Sequence, residues 1–210
     1  MCGIILRSII IGKDDLKFYY VAIRIKTEVT QERIGMKKVM GALTILSVMS
    51  AIIFFGAYNI LKSKELLAAT ITSVTTSYHF LMRLGVGFLF DKIMKNRADY
   101  TKSWYQCRSW EKNLYKRLRV KHWKNIIPTY DNSLFDYKKH SWHDIVQASC
   151  QAELVHEVIV LLSFVPVIFS EWFGSAVVFI ITSVLAALFD MSFVIIQRYN
   201  RPRIIKLIGR

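Results

Sequence analysis

The chain is 210 residues long, 53% hydrophobic and 21% charged, with a formal net charge of +14. Soluble domains run at about 45–50% apolar and about 25% charged; here long uncharged runs alternate with basic stretches, the pattern of a polytopic membrane protein, and a nucleic-acid binder is excluded because it needs the charge but not the runs. Three cysteines without a C-x-x-C pair exclude a disulfide framework and a zinc site.

Residues 1–35 mix apolar and charged positions without a period, and Met36-Lys37-Lys38 before an apolar run reads as a natural start of a membrane protein. The expectation is an extension over 1–35 outside the working protein and one membrane domain over 36–207. Residues 39–61 carry no charge, and at about 1.5 Å per residue they exceed the roughly 30 Å hydrocarbon thickness. A second span is expected over 66–90. Its Thr72, Thr76, His79 and Arg83 are spaced 4, 3 and 4 and form one helical stripe, which should face protein or water rather than lipid. Residues 91–144 hold 13 Lys/Arg against 6 Asp/Glu and many aromatics, as in a membrane-interface layer. Pro128 interrupts any helix there. A third span over about 150–170, with a kink at Pro166, and a fourth over about 172–197 complete the chain.

The basic 91–144 segment, the Met36 side and the C-terminus belong in the cytoplasm by the positive-inside rule. The expected fold is all-α: four transmembrane helices as two hairpins, both termini cytoplasmic, with a basic, aromatic interfacial segment. Arg83 and Asp190 each lie seven residues inside the cytoplasmic end of their spans, about 10 Å deep by helix rise. Glu153 and His156 enter the third span from the same side. One polar pocket open to the cytoplasm is expected, lined by His79, Arg83, Glu153, His156, Asp190 and residues 197–203. Buried ionisable groups are functional candidates, although Arg83 and Asp190 also suit a structural ion pair. Glu153 and His156 are i and i+3, and a carboxylate beside an imidazole is a recurring general-base arrangement. His156 is therefore the expected base and Glu153 its orienter. His140 and His143 are too few for a metal centre, and no metal ligand or cofactor is assigned.

Three blocks carry a resemblance: Leu114 to Leu118 with Val120 to Lys124 and Pro128, then Gln151-Ala152-Glu153-Leu154-Val155-His156, then Gln197-Arg198-Tyr199-Asn200-Arg201-Pro202-Arg203. In this order and spacing the chain resembles the glycosyl-4,4'-diaponeurosporenoate acyltransferases of carotenoid (staphyloxanthin-type) biosynthesis, over roughly residues 36–207. The resemblance implies an integral enzyme of the bacterial cell membrane that esterifies a sugar hydroxyl of a glycosylated carotenoid or other glycolipid. It implies an acyl-CoA or another acyl thioester as donor substrate, and as partners the bilayer, the donor and an amphiphilic acceptor, without nucleic acid. Arg83, Lys124 or Arg201 would hold phosphate or the developing oxyanion, and Gln197 and Asn200 the sugar hydroxyls. Trp123, Arg198, Tyr199 and Arg203 belong to the matching blocks and complete the expected binding set with His79 and Asp190. The alternative is a small membrane transporter or assembly subunit, because buried Arg, Asp and His also mark ion paths.

Overall fold

The computed structural model describes residues 38–127, 132–174 and 176–208. The extension expected over 1–35 and the break expected at Pro128 lie outside them. All regular structure among the described residues is helical: α1 Lys38–Leu61, then α2 Lys64–Met94, α3 Ser109–Arg117, α4 Val120–Trp123, α5 Trp142–Leu162, α6 Val165–Ile168, α7 Ser170–Phe173 and α8 Ala176–Ile208, with 3-10 turns at Ser103–Tyr105 and Asn132–Phe135. Among the described residues, three helical units are long and apolar enough to cross a membrane: α1, the α5-to-α7 stretch Trp142–Phe173, and α8. They correspond to the first, third and fourth expected spans. The 31-residue α2 is longer than expected but is diluted by hydroxyls, His79 and Arg83.

The turn between α1 and α2 is as short as its sequence implies. Lys62 takes a left-handed φ of 52°, and the Ser63 hydroxyl accepts the Leu66 N–H at 3.2 Å, capping α2. Within α2, Thr70, Thr72, Thr76 and Ser77 each donate to the carbonyl four residues back, at 2.7–2.9 Å. Self-satisfied hydroxyls need no outside partner. The expected stripe accordingly divides: Thr72 and Thr76 are exposed, while Thr70, Ser77, His79 and Val86 are buried.

Helix α5 starts at Trp142, ahead of the expected 150, because Ser141 and Asp144 form a capping box. It ends at Leu162, and Pro166 enters the first turn of α6. Pro166 has no N–H to donate to the Leu162 carbonyl and its ring crowds that carbonyl, so α5 ends at Leu162 and the chain breaks near Ser163 and Phe164 where a kink was expected. Helix α8 starts at Ala176, not Trp172, and continues past residue 197 to Ile208 with Pro202 inside it. Pro202 leaves the Arg198 carbonyl without its helical donor.

The buried positions of α8 are Phe179, Ser183, Ala187, Asp190, Val194 and Arg201. Their spacing of 4, 4, 3, 4 and 7 is a single helical stripe. It packs on α5, the most extensive contact among the helices, and α5 in turn packs on α2. The α5 side contributes Ala148, Ser149, Cys150, Glu153 and Ile159. Small residues allow close approach, which is how helices associate where lipid removes the hydrophobic drive. The outer side of α8, including Ile181, Leu185, Leu188 and Phe189, is exposed.

Candidate active site

The packing of α2, α5 and α8 brings Arg83, His156 and Asp190 together. Asp190 is 1% exposed. Its Oδ2 accepts from Arg83 Nε at 3.0 Å and from Nη2 at 2.5 Å. Its Oδ1 lies 3.0 Å from His156 Nδ1. One carboxylate thus bridges a guanidinium and an imidazole. With the imidazole neutral, Nδ1–H donates to Asp190, and Nε2 is left with a free lone pair, the tautomer a general base requires. The Phe193 ring stacks on His156 at 4.5 Å between centroids, with an interplanar angle of 7°, and fixes the plane of the imidazole.

Arg83 has capacity to spare. Its Nη1 donates to the His79 carbonyl at 3.0 Å, so three of the roughly five guanidinium N–H groups are engaged and about two remain. His79, one turn away on the same helix, is buried, and neither ring nitrogen has a hydrogen-bond partner among the described residues. An unsatisfied buried polar group costs about 1–3 kcal/mol, so this imidazole marks a place where an incoming polar group gains energy.

A second layer lies eight residues further along α8, about 12 Å by helix rise. Here the structure corrects the expected role of Glu153. Glu153 is completely buried. Its Oε1 accepts from Arg198 Nη1 at 2.5 Å, and its Oε2 is in ion contact with Arg201 Nη2, without hydrogen-bond alignment. The partner of His156 is Asp190. Sequence adjacency on α5 favoured Glu153, but two arginines on the facing helix compete for it and win.

Arg198 and Arg201 are corrected in the same way. Arg198 donates from Nε and Nη2 to the two oxygens of Glu111 at 3.2 and 2.7 Å, from Nη1 to the Trp104 carbonyl at 2.9 Å as well as to Glu153, and from Nη2 to the Gln106 carbonyl at 3.2 Å. All five donors are used, so none is left for a ligand. Arg201 is 1% exposed; it donates to the carbonyls of Tyr105 and Ser149 at 3.0 and 3.1 Å and sits over the Tyr105 ring. These two arginines fasten α3 and the 104–106 turn to the α5–α8 pair.

The remaining expected residues form a third group near the end of α8. Lys124 Nζ donates to Asn200 Oδ1 at 2.9 Å and lies 5.4 Å from the Tyr199 ring centre. The Arg203 guanidinium lies over the same Tyr199 ring, 3.8 Å from its centre. Burial, followed by the nearby Arg203 charge, pulls the Lys124 pKa below the ordinary lysine value. Trp123 Nε1 donates to the Leu118 carbonyl at 2.8 Å, and Gln197 is half-buried. The single pocket expected from the sequence is therefore three layers: a deep Arg83–Asp190–His156 relay with His79, a buried ion lattice around Glu153, and an aromatic and basic rim.

Sequence reasoning missed Glu111. Its carboxylate, buried on α3 beside Tyr115, is the second acid of the lattice. Glu111 and Tyr115 are i and i+4, and the Tyr115 hydroxyl donates to Glu111 Oε2 at 3.3 Å; that spacing was the available signal. The carbonyls of Trp104, Tyr105 and Gln106 carry no sequence signal, because any residue supplies one.

No curated protein and no solved structure matches the chain. A family model described as glycosyl-4,4'-diaponeurosporenoate acyltransferase matches residues 101–210. The match covers α3 to α8, including His156, Asp190 and the Glu111–Glu153–Arg198–Arg201 lattice, and leaves out α1 and α2 with His79 and Arg83. It covers more than half of the chain, which belongs to the glycosyl-4,4'-diaponeurosporenoate acyltransferase family.

Proposed function

We propose that this chain is a membrane O-acyltransferase that moves a fatty acyl group from a thioester donor to a sugar hydroxyl of a glycosylated isoprenoid or related glycolipid. The observation that carries the reading is the 3.0 Å approach of Asp190 Oδ1 to His156 Nδ1, which orients an imidazole as a base inside an apolar bundle. His156 Nε2 takes the proton of the acceptor hydroxyl as its oxygen attacks the acyl carbonyl. The C–O bond forms, the C–S bond breaks, and the proton passes from His156 to the leaving thiolate. The Asp190 carboxylate holds the Nδ1–H and stabilises the transient imidazolium, and Arg83 fixes the orientation of that carboxylate. The two remaining Arg83 N–H groups are the donors for the developing oxyanion, and His79 receives a sugar hydroxyl. The rim of Trp123, Lys124, Gln197, Tyr199, Asn200 and Arg203 meets the sugar headgroup while both tails stay in lipid. The acyl thioester is a substrate, not a resident cofactor.

In this reading α2 is a fourth span paired with α1 as a hairpin. Arg83 at membrane depth is tolerable because Asp190 neutralises it and the α2 hydroxyls are satisfied within the helix. The basic 91–144 segment and the end of α8 lie on the cytoplasmic side of a bacterial plasma membrane, where acyl thioesters are found. The test is direct: the protein in nanodiscs receives an acyl-CoA and a glycosylated carotenoid, and the ester is sought by mass spectrometry. Ester that appears with the wild type and vanishes with His156→Ala supports the reading. Ester formation by His156→Ala at the wild-type rate removes it.

A further inference from the structure

We propose that α3 is an in-plane interfacial helix whose Trp110–Leu114 flank docks into the bilayer surface and whose neighbouring arginines bind anionic phospholipid headgroups. The inference rests on α8 crossing a bilayer and not on the acyl-transfer reaction. The level of α3 follows from what holds it. Glu111 accepts from Arg198 Nη2 at 2.7 Å, the Tyr115 ring meets the Tyr199 ring edge-on at 6.0 Å between centroids, and Lys124 donates to Asn200 at 2.9 Å. The carbonyls of Trp104 and Tyr105 accept from Arg198 and Arg201. These contacts fall between Arg198 and Arg201, about 4.5 Å of rise along α8. The segment 104–124 is thus a collar crosswise to α8 at nearly constant height. A roughly 30 Å hydrocarbon layer takes about 20 helical residues. A layer that begins with α8 at Ala176 ends just short of Arg198, which puts the collar at the level of the headgroups.

The faces of α3 then fall into order. Glu111 and Tyr115 are its buried residues and face α8. At about 100° per residue, Trp110 and Leu114 lie about 100° to one side of that face, and Lys112 and Lys116 about 100° to the other. In a helix lying crosswise, these two flanks point in opposite directions along the bilayer normal, one toward hydrocarbon and one toward water. Trp110 is 59% exposed, and Leu114 and Leu118 continue the exposed stripe. An apolar stripe of this kind belongs to a helix lying in the interface, where Trp is favoured. Trp104 in the same collar already reaches inward: its Nε1 donates at 3.1 Å to Glu157, one turn deeper on α5 than Glu153. The charges fit anionic lipid. Residues 104–124 contain seven Lys/Arg and a single acid, Glu111, which Arg198 engages. Arg108 precedes α3, and Arg117 lies about 20° around the helix from Trp110. Both are exposed, with no carboxylate in ion-pair distance among the described residues. Guanidinium groups pair with phosphate in fork geometry, and basic residues held near an anionic leaflet are attracted to it. The occupant is lipid and not another polypeptide, because the flank faces the same layer that covers the exposed apolar exterior of α8.

The full chain is placed, one copy per disc, in nanodiscs of phosphatidylcholine alone and of phosphatidylcholine mixed with phosphatidylglycerol, and amide hydrogen exchange is followed over residues 109–118. Exchange in the mixed discs should be slower by about fivefold or more, because docking adds to the local opening energy of the helix. High salt, with a screening length of about 3 Å at 1 M, should cancel the difference, as should Arg108→Gln with Arg117→Gln; the salt arm holds even if that variant does not assemble. Trp110→Gln with Leu114→Gln should speed exchange in both kinds of disc. Equal exchange in the two discs overturns the anionic-lipid assignment, and so does a lipid effect that survives both high salt and the arginine variant. Unchanged exchange in the glutamine pair at Trp110 and Leu114 overturns the docking of that flank. Slowing that appears only with two copies per disc assigns the stripe to a contact between copies and overturns the lipid assignment. None of these readouts needs turnover, so failure of the acyltransferase reading leaves them standing, and their failure leaves that reading in place.

Discussion

Asp190 on α8 holds the Nδ1 edge of His156 on α5 at 3.0 Å, and its other oxygen is taken by Arg83. Three helices therefore meet at one carboxylate. If the reaction runs through this relay, Asp190→Asn should keep the helices packed but present a neutral amide to His156. We expect kcat to fall by about 10²–10⁴, the usual range for a disabled acid–base group, with the donor KM near its wild-type value. Steady-state ester formation, with KM and kcat measured separately, checks it. A fall confined to KM would show that Asp190 serves binding instead.

Arg83 and Asp190 should fail singly and recover jointly in stability, but not in activity. Removing one partner leaves the other as a buried uncompensated charge, at about 3–5 kcal/mol, whereas an apolar replacement of both is often neutral. Arg83→Met and Asp190→Leu are each expected to lower the thermal midpoint sharply, and the double variant to regain most of the loss. The double variant should remain inactive, because His156 has lost its orienter. Thermal unfolding in detergent beside an ester assay separates the two outcomes; recovered activity would exclude the relay.

Glu153 should behave as a structural acid. Glu153→Ala strands the buried Arg201 guanidinium, while Arg198 keeps Glu111, and a loss of about 3–5 kcal/mol is expected. Glu153→Gln should be milder, retaining hydrogen-bond acceptance from Arg198. Ester formation per folded molecule in Glu153→Gln should stay within about threefold of wild type, well short of the 10²–10⁴ ascribed to a group acting on the proton. A larger fall in kcat without loss of stability would return Glu153 to the chemistry.

The lattice predicts acid sensitivity. Burial by itself would raise the Glu111 pKa, but the hydrogen bonds and charge of Arg198 outweigh it and hold the carboxyl below its ordinary value. A depressed carboxylate pKa means that the unfolded chain binds protons first. The stabilisation is therefore complete above the unfolded carboxylate value, near pH 4.3, and is lost as pH falls through the lower folded value. Thermal midpoints from pH 6 down to pH 3 should drop in wild type and drop less steeply in Glu111→Gln. Parallel curves would show that Arg198 does not couple to Glu111.

Much of the frame was legible along the chain. The uncharged run at 39–61 and the apolar runs that end at Phe173 and begin near Ala176 are membrane-length by composition alone. Depth counting from the ends of the spans put Arg83 and Asp190 at the same level, and they are indeed paired. Glu153 and His156 show where such reading stops. Their i and i+3 spacing on α5 suggested one pair, yet each bonds to a different residue of α8. Local spacing gives the angle of a side chain around its own helix, but not which groups of another helix lie opposite. Thr72 and Thr76 teach the same lesson from the other side: polar residues whose hydroxyls bond within their own helix can face outward.

By itself, the sequence determined the helical class, the lengths of the apolar runs and the presence of ionisable groups inside them, because these follow from composition, period and the cost of charge in hydrocarbon. The tertiary structure decided the partners. A buried carboxylate takes whichever cations the packing of α2, α5 and α8 brings within about 3 Å, the hydrogen-bond range, and that contact joins residues up to 107 positions apart in the chain.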